Sequence, residues 1–107
     1  MIGRIRTRDD FERLRREGRR IRIEPFWCSH LSDPSANPPQ VAFAISRAVG
    51  NAVVRNRLRR RLRAIMATID VPPGLYLLGC RPAASELTFE EIASTLGRLP
   101  SKVRASG

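Results

Sequence analysis

The sequence predicts an α+β domain, a small four-stranded sheet with helices packed on it in the order α-β-β-β-α-β-α. Three observations predict it. Apolar residues recur at helical spacing, most clearly at Val54, Leu58, Leu62, Ile65 and Ile69. Period-two alternation marks residues 19–30 and 41–46. Residues 75–80, L-Y-L-L-G-C, form a nearly all-apolar run of the kind buried on both faces. At 107 residues and 42% hydrophobic content, the chain reads as one domain, residues 1–107, around a single modest core.

Thr7 is placed to cap a first helix, with Asp9 and Asp10 at its positive dipole end. Phe11, Leu14 and Arg15 share a face, and Gly18 is a good stop. Beyond it, Ile21 and Ile23 alternate with Arg20, Arg22 and Glu24, and then Phe26 and Cys28 oppose Trp27 and Ser29. Pro25 divides this run or marks an edge. Residues 31–40 carry three prolines and read as a loop, with His30 a surface residue beside it. In the next strand Val41, Phe43 and Ile45 face a core, while Ala42, Ala44 and Ser46 line the other side. That small-residue face suits either a groove floor or tight packing against another element.

Gly50 and Asn51 begin a second helix that runs to about Ile69, roughly 28 Å at 1.5 Å per residue. Asp70 and V-P-P-G end it. After the strand at 75–80, Thr88 and Glu91 form a capping box, with Leu87 and Ile92 as a hydrophobic staple. The helix they open buries Phe89, Ile92, Leu96 and Leu99. From about Pro100 the S-K-V-R-A-S-G stretch reads as a disordered tail.

The second helix is the chemically distinctive element. It carries Arg55, Arg57, Arg59, Arg60, Arg61 and Arg63, and no acid occurs from Pro34 to Ile69. At about 100° per residue, Asn56, Arg59, Arg60 and Arg63 point away from the apolar stripe, Arg57 lies to one side, and Arg55 and Arg61 sit at its edges. Solvated helix faces ordinarily mix charge signs, because like charges at i and i+4 are destabilising. An unneutralised ridge calls for a partner that supplies the counter-charge. The whole chain agrees, with a net charge of +10, a field that attracts nucleic acid or an anionic membrane.

Other chemistries find little support. Cys28 and Cys80 sit in apolar runs as small hydrophobes, match no zinc spacing and make no disulfide framework. The ten acids are scattered, mostly at helix starts, and no nucleophile stands beside a base. No catalytic or metal-binding residue is therefore expected. Residues 1–8 lack the apolar core of a signal peptide, and no run approaches the roughly 20 apolar residues of a membrane span, so a cytoplasmic protein is expected.

The segment A-I-S-R-A-V-G-N-A-V-V-R-N-R-L-R-R-R-L-R (44–63), followed after one strand by R-P-A (81–83), resembles the protein subunit of bacterial ribonuclease P. The G-N-A-V-x-R-N-R core at 50–57 is the specific signature, and D-F-E-R-L-R-R-E-G (10–18), F-W-C (26–28) and L-T-F-E-E (87–91) agree with it. The likeness spans roughly residues 4–99. It implies a sheet with helices on one side, like a domain of a ribosomal protein, and a left-handed β-α-β crossover, against the usual right-handed preference.

The resemblance also implies a function. Such a protein binds a catalytic RNA, and the ribonucleoprotein, expected to hold one protein per RNA, removes the 5′ leader of precursor tRNA. Mg²⁺ is held by the RNA subunit and substrate. On this likeness Arg55, Asn56 and Arg57, with Arg59, Arg60, Arg61 and Arg63, face the RNA subunit. A cleft of Phe11, Arg15, Trp27, Ser29, Ser46, Arg47 and Arg81 takes the single-stranded leader, as a positive groove with aromatic surfaces would. Arg15 and Ser29 stand where relatives often carry aromatics, and Ala48 and Cys80 where a basic residue is usual. The cleft is thus less aromatic and less basic than is typical, while the RNA-facing helix is intact. Two rival readings are a structural RNA-binding protein of ribosomal type, and a basic amphipathic helix that docks on a membrane or a calmodulin-like partner.

Overall fold

The computed structural model describes residues 1–106, and the side chains of residues 1–105. In chain order it contains β1 (Gly3–Arg4), α1 (Arg8–Glu17), β2 (Arg19–Ile23), β3 (Phe26–Ser32), β4 (Gln40–Ala44), α2 (Ala52–Thr68), β5 (Gly74–Cys80), α3 (Phe89–Leu96) and α4 (Leu99–Ser106). Short 3₁₀ turns at Arg47–Val49 and Pro82–Glu86 follow β4 and β5. The strands form one mixed sheet in the order β1-β4-β5-β3-β2. β3 is antiparallel to β2 and β5, whereas β4 is parallel to β5, so α2 is the crossover between neighbouring strands.

The sheet has five strands rather than the expected four, because two-residue β1 adds a parallel edge to β4. Two residues leave no alternation to read in a sequence. The α+β class is otherwise as predicted. Thr7 Oγ1 accepts the Asp10 N–H at 3.1 Å and caps α1. Thr88 and Glu91 exchange side-chain and backbone bonds of 2.9 and 3.1 Å, the reciprocal box that opens α3.

Alternation divides the core between the two sheet faces. One face carries Ile21, Ile23, Phe26, Cys28, Val41, Tyr76 and Leu78, which pack with Leu58, Leu62, Ile65 and Met66 of α2 and with α3 and α4. The other carries Leu31, Ala42, Leu75 and Leu77, which pack with Leu14 of α1 and with Ile5 and Ala36. Helices therefore cover both faces, with α1 alone on the second, which corrects the expectation of helices on one side only. Ala42 lies partly buried in that second cluster, so its small side chain serves packing there.

Three further expectations are corrected. His30 is not a surface residue. It lies in β3, 8% exposed, with its ring stacked on Tyr76 at 4.3 Å between centroids. Nδ1 lies 3.2 Å from the Leu75 carbonyl, which can only accept, so this nitrogen carries the proton. Phe89, expected on the buried face of α3, is exposed because it stands in the first turn, beyond the rim of the core. Finally, the stretch from Pro100 is not a disordered tail. Leu99 and Val103, one helical turn apart, are both buried, and Pro100 sits in the first turn of α4, where its missing N–H costs nothing. Gly107 lies outside the described residues.

Candidate nucleic-acid interface

Two surfaces concentrate the residues singled out in the sequence. The first is the outer side of α2. Asn51 Oδ1 accepts the Val54 N–H at 3.0 Å and fixes the helix start. A Cβ on Gly50 would stand 2.7 Å from Val54 Cγ1 and 2.8 Å from Val54 Cβ, so the glycine of G-N-A-V is required by close packing. Leu58 and Leu62, 4% and 0% exposed, anchor the helix on the sheet. Each fully buried leucine contributes about 2 kcal/mol. With the stripe seated, Asn56, Arg57 and Arg60 are exposed, while Arg55, Arg59, Arg61 and Arg63 are half-buried.

Several of these arginines are held in place by neutral partners. Arg59 Nη1 donates to Asn56 Oδ1 at 2.9 Å, and Arg55 Nε donates to the Gly50 carbonyl at 3.2 Å. The Arg63 guanidinium lies over the Phe43 ring, 5.0 Å from its centroid. Burial first, and then the nearby Arg4, push the Arg63 pKa below its ordinary value. Among the described residues, no ion pair involves an arginine of α2. A concavity of about 570 Å³ is lined by Arg4, Val53, Asn56, Arg59, Arg60 and Arg63. Arg4, on the edge strand β1, belongs to this surface through tertiary packing alone, and no local pattern in the sequence points to it.

The second surface lies between α1 and the sheet. A groove of about 530 Å³ is lined by Phe11, Glu12, Leu14, Arg15, Gly18, Arg20, Ser29 and Leu77. It brings together three of the expected cleft residues, Phe11, Arg15 and Ser29. Leu14 is buried beneath α1, whereas Phe11, one turn earlier, stays 39% exposed on the groove wall. Arg15 Nη2 lies 2.6 Å from Glu12 Oε2, so its charge is partly answered within the helix. Arg20 and Leu77 also line this groove. Their strand alternation puts them on this face, but only the β2-β3 and β3-β5 registers, Arg20 opposite Ser29 and Ser29 opposite Leu77, bring them beside it.

Trp27 shares the face of Ser29, two residues along β3, and is half-buried. Its indole lies over Gly79 of β5, where a Cβ would stand 2.1 Å from Cζ2, so only glycine leaves room for the ring. Arg20 Cζ sits 4.1 Å from the indole centroid. Ser46, Arg47 and Arg81 do not line the α1 groove. They are exposed beyond the ends of β4 and β5, where the two 3₁₀ turns pack together. Arg81 Nε lies 3.1 Å from Glu24 Oε2, and Arg22 approaches the same carboxylate at 3.6 Å.

The remaining reactive groups are sequestered. Burial pushes the Cys28 thiol up to about 12 and Cys80 to about 11, far from the thiolate a nucleophile needs. Among the described residues, no three His, Cys, Asp or Glu side chains are grouped to hold a metal. No helix there is long and apolar enough to cross a membrane.

Comparison with known proteins places this architecture. The family model described as Ribonuclease P matches residues 3–104. The ribonuclease P protein component of Acidothermus cellulolyticus is 42% identical over 90% of this chain and 83% of its own length. That of Streptomyces avermitilis is 35% identical over 98% and 94%. Among solved structures, the RNase P protein of Thermotoga maritima superposes with a TM-score of 0.81 at 24% identity, covering 94% of this chain and 97% of its own. The RNase P protein of Staphylococcus aureus gives 0.78 at 20% identity, covering 96% and 94%. The signature helix, the sheet it crosses and the groove under α1 thus occur in a chain that belongs to the ribonuclease P protein family.

Proposed function

We propose that this protein is the accessory subunit of the ribonuclease P ribonucleoprotein. In this reading α2 binds the catalytic RNA, the groove beside α1 receives the 5′ leader of precursor tRNA, and the assembly removes that leader endonucleolytically in the cytoplasm. The observation that carries it is the ridge on α2, whose guanidinium groups are held by a buried scaffold and answered by no carboxylate among the described residues. Planar guanidinium forks fit phosphate oxygens bidentately. A folded RNA offers such oxygens densely enough to neutralise the ridge.

Arg55, Asn56, Arg57, Arg59, Arg60, Arg61 and Arg63 meet the RNA subunit in this reading, with Arg4 added from the concavity they border. Phe11, Arg15, Trp27 and Ser29 meet the leader, with Ser46, Arg47 and Arg81 beyond the ends of β4 and β5. Mg²⁺ would be held by the RNA subunit and the substrate, where it would serve the hydrolysis. The protein contributes substrate affinity and charge neutralisation, one copy per RNA. Burial of Leu58 and Leu62 weighs against α2 as a membrane or calmodulin-type helix, which would need that stripe free.

The test is cleavage of precursor tRNA by the cognate RNA subunit at physiological Mg²⁺, with and without this protein. Cleavage at the mature 5′ end should accelerate on addition. No acceleration, together with ribosomal RNA co-purifying from cells, would overturn the proposal in favour of a ribosomal-type RNA binder.

A further inference from the structure

Phe11 is the one aromatic among the residues that line the groove beside α1, where Arg15 and Ser29 also stand. Yet Trp27, on the same face, is not bare. Its indole lies against the Gly79 backbone and carries the Arg20 guanidinium 4.1 Å from its centroid. Arg20 is itself exposed and lines the groove with Phe11 and Ser29. No carboxylate among the described residues pairs with it, unlike Arg15 and Arg22 nearby. A guanidinium on an indole keeps its planar geometry, and it presents a flat cationic surface on which nucleobases stack.

We propose that Arg20, stacked on Trp27, is a base-stacking platform that contacts one unpaired nucleotide of the leader. Trp27 acts as its positioning residue and Phe11 as the facing wall. This inference rests on the reading of the α1 groove as the leader site. Because the platform meets a base face rather than a hydrogen-bonding edge, the nucleotide is chosen by being single-stranded, with little preference for base identity.

The experiment reconstitutes the full chain with its RNA subunit and measures affinity for precursor tRNA and for mature tRNA; their ratio is the leader contribution. Arg20→Ala should reduce that ratio about tenfold, in line with the loss of one stacked base, and leave mature tRNA unchanged. Arg20→Lys keeps the charge but loses the plane and should fall nearly as far. Trp27 is the sole tryptophan, so precursor tRNA should also alter its fluorescence, by less in Arg20→Ala.

Full rescue by lysine would overturn the platform in favour of simple charge attraction. A rise in the ratio for Arg20→Ala would make Arg20 a cover over Trp27 and overturn it as well. If Trp27→Ala lowers the ratio while Arg20→Ala does not, the groove reading stands and the platform falls. A wild-type ratio near one removes both.

Discussion

Arg13 on α1 lies 3.3 Å from Asp10 and 3.0 Å from Asp33, and Arg15 lies 2.6 Å from Glu12. Across the sheet, the six arginines of α2 meet no carboxylate among the described residues, and three of them are steadied by Asn56, the Gly50 carbonyl and the Phe43 ring. The same side chain is thus handled in two ways. On α1, acids at i−3 and across the loop consume much of the charge, and the groove is left to discriminate by shape and stacking. On α2, partners without charge fix geometry while the charge stays whole. A surface of the second kind binds through counterion release and is salt-sensitive; one of the first kind is much less so. Such a division suits the proposed function, in which α2 grips a large folded RNA and the groove beside α1 samples a short single strand.

The scaffold beneath α2 is where the comparison breaks most severely. Leu62 is 0% exposed and lies between α2 and the sheet. Leu62→Ala should cost about 3 kcal/mol of stability through reduced burial and a residual cavity. Val53→Ala, on the same helix but 71% exposed, should change stability by less than about 0.5 kcal/mol. Urea unfolding monitored by Trp27 fluorescence reads both. Equal effects would mean that α2 is not held by its stripe, and the ridge would then have no fixed geometry.

Charge removal sharpens the contrast directly. Arg57→Ala combined with Arg60→Ala should weaken RNA-subunit binding at low salt and flatten the log–log salt slope by roughly 0.7–0.9 for each phosphate no longer neutralised. Arg13→Ala removes a charge of the same sign from the paired region. It should leave that slope unchanged and instead destabilise the tie between α1 and the Asp33 loop. Filter binding across a salt series decides. If Arg13→Ala flattens the slope as much as the α2 pair does, the two regions are not distinct.

How far the sequence reaches follows from the range of the interactions. Short-range features are legible: the Thr7 cap, the Thr88–Glu91 box, the α2 stripe and the alternation that puts Trp27 beside Ser29 all depend on residues within a turn or a strand. What escapes a sequence depends on packing between distant segments. Arg4 joins the α2 concavity only because β1 pairs with β4. Arg20 meets Trp27 only through the β2-β3 register. α4 is hidden because its burial rests on two residues, Leu99 and Val103, around a proline that reads as a stop. His30 reads as a surface residue for the same reason, since its partner Tyr76 is 46 residues away in sequence.

That histidine gives the smallest expected effect and a separate handle on the sheet face that carries α2, where its ring stacks on Tyr76. Burial, with Arg19 nearby, holds the His30 pKa below its ordinary 6.5, despite the opposing bond to the Leu75 carbonyl. The folded state therefore takes up its proton at lower pH than the unfolded chain. The stabilisation is complete above about pH 6.5 and is lost as pH falls through the depressed folded value. Asp33, held below its ordinary 3.8 by Ser35 first and by Arg13, loses its contribution only at more acid pH. A urea midpoint measured from pH 8 to pH 5 should thus decline for the wild type before the carboxylates titrate. His30→Phe keeps a ring against Tyr76 but cannot bind a proton, so its midpoint should stay flat over that interval at a lower overall stability. Parallel declines in the two proteins would assign the acid sensitivity elsewhere and leave the β3-β5 tie without a titrating member.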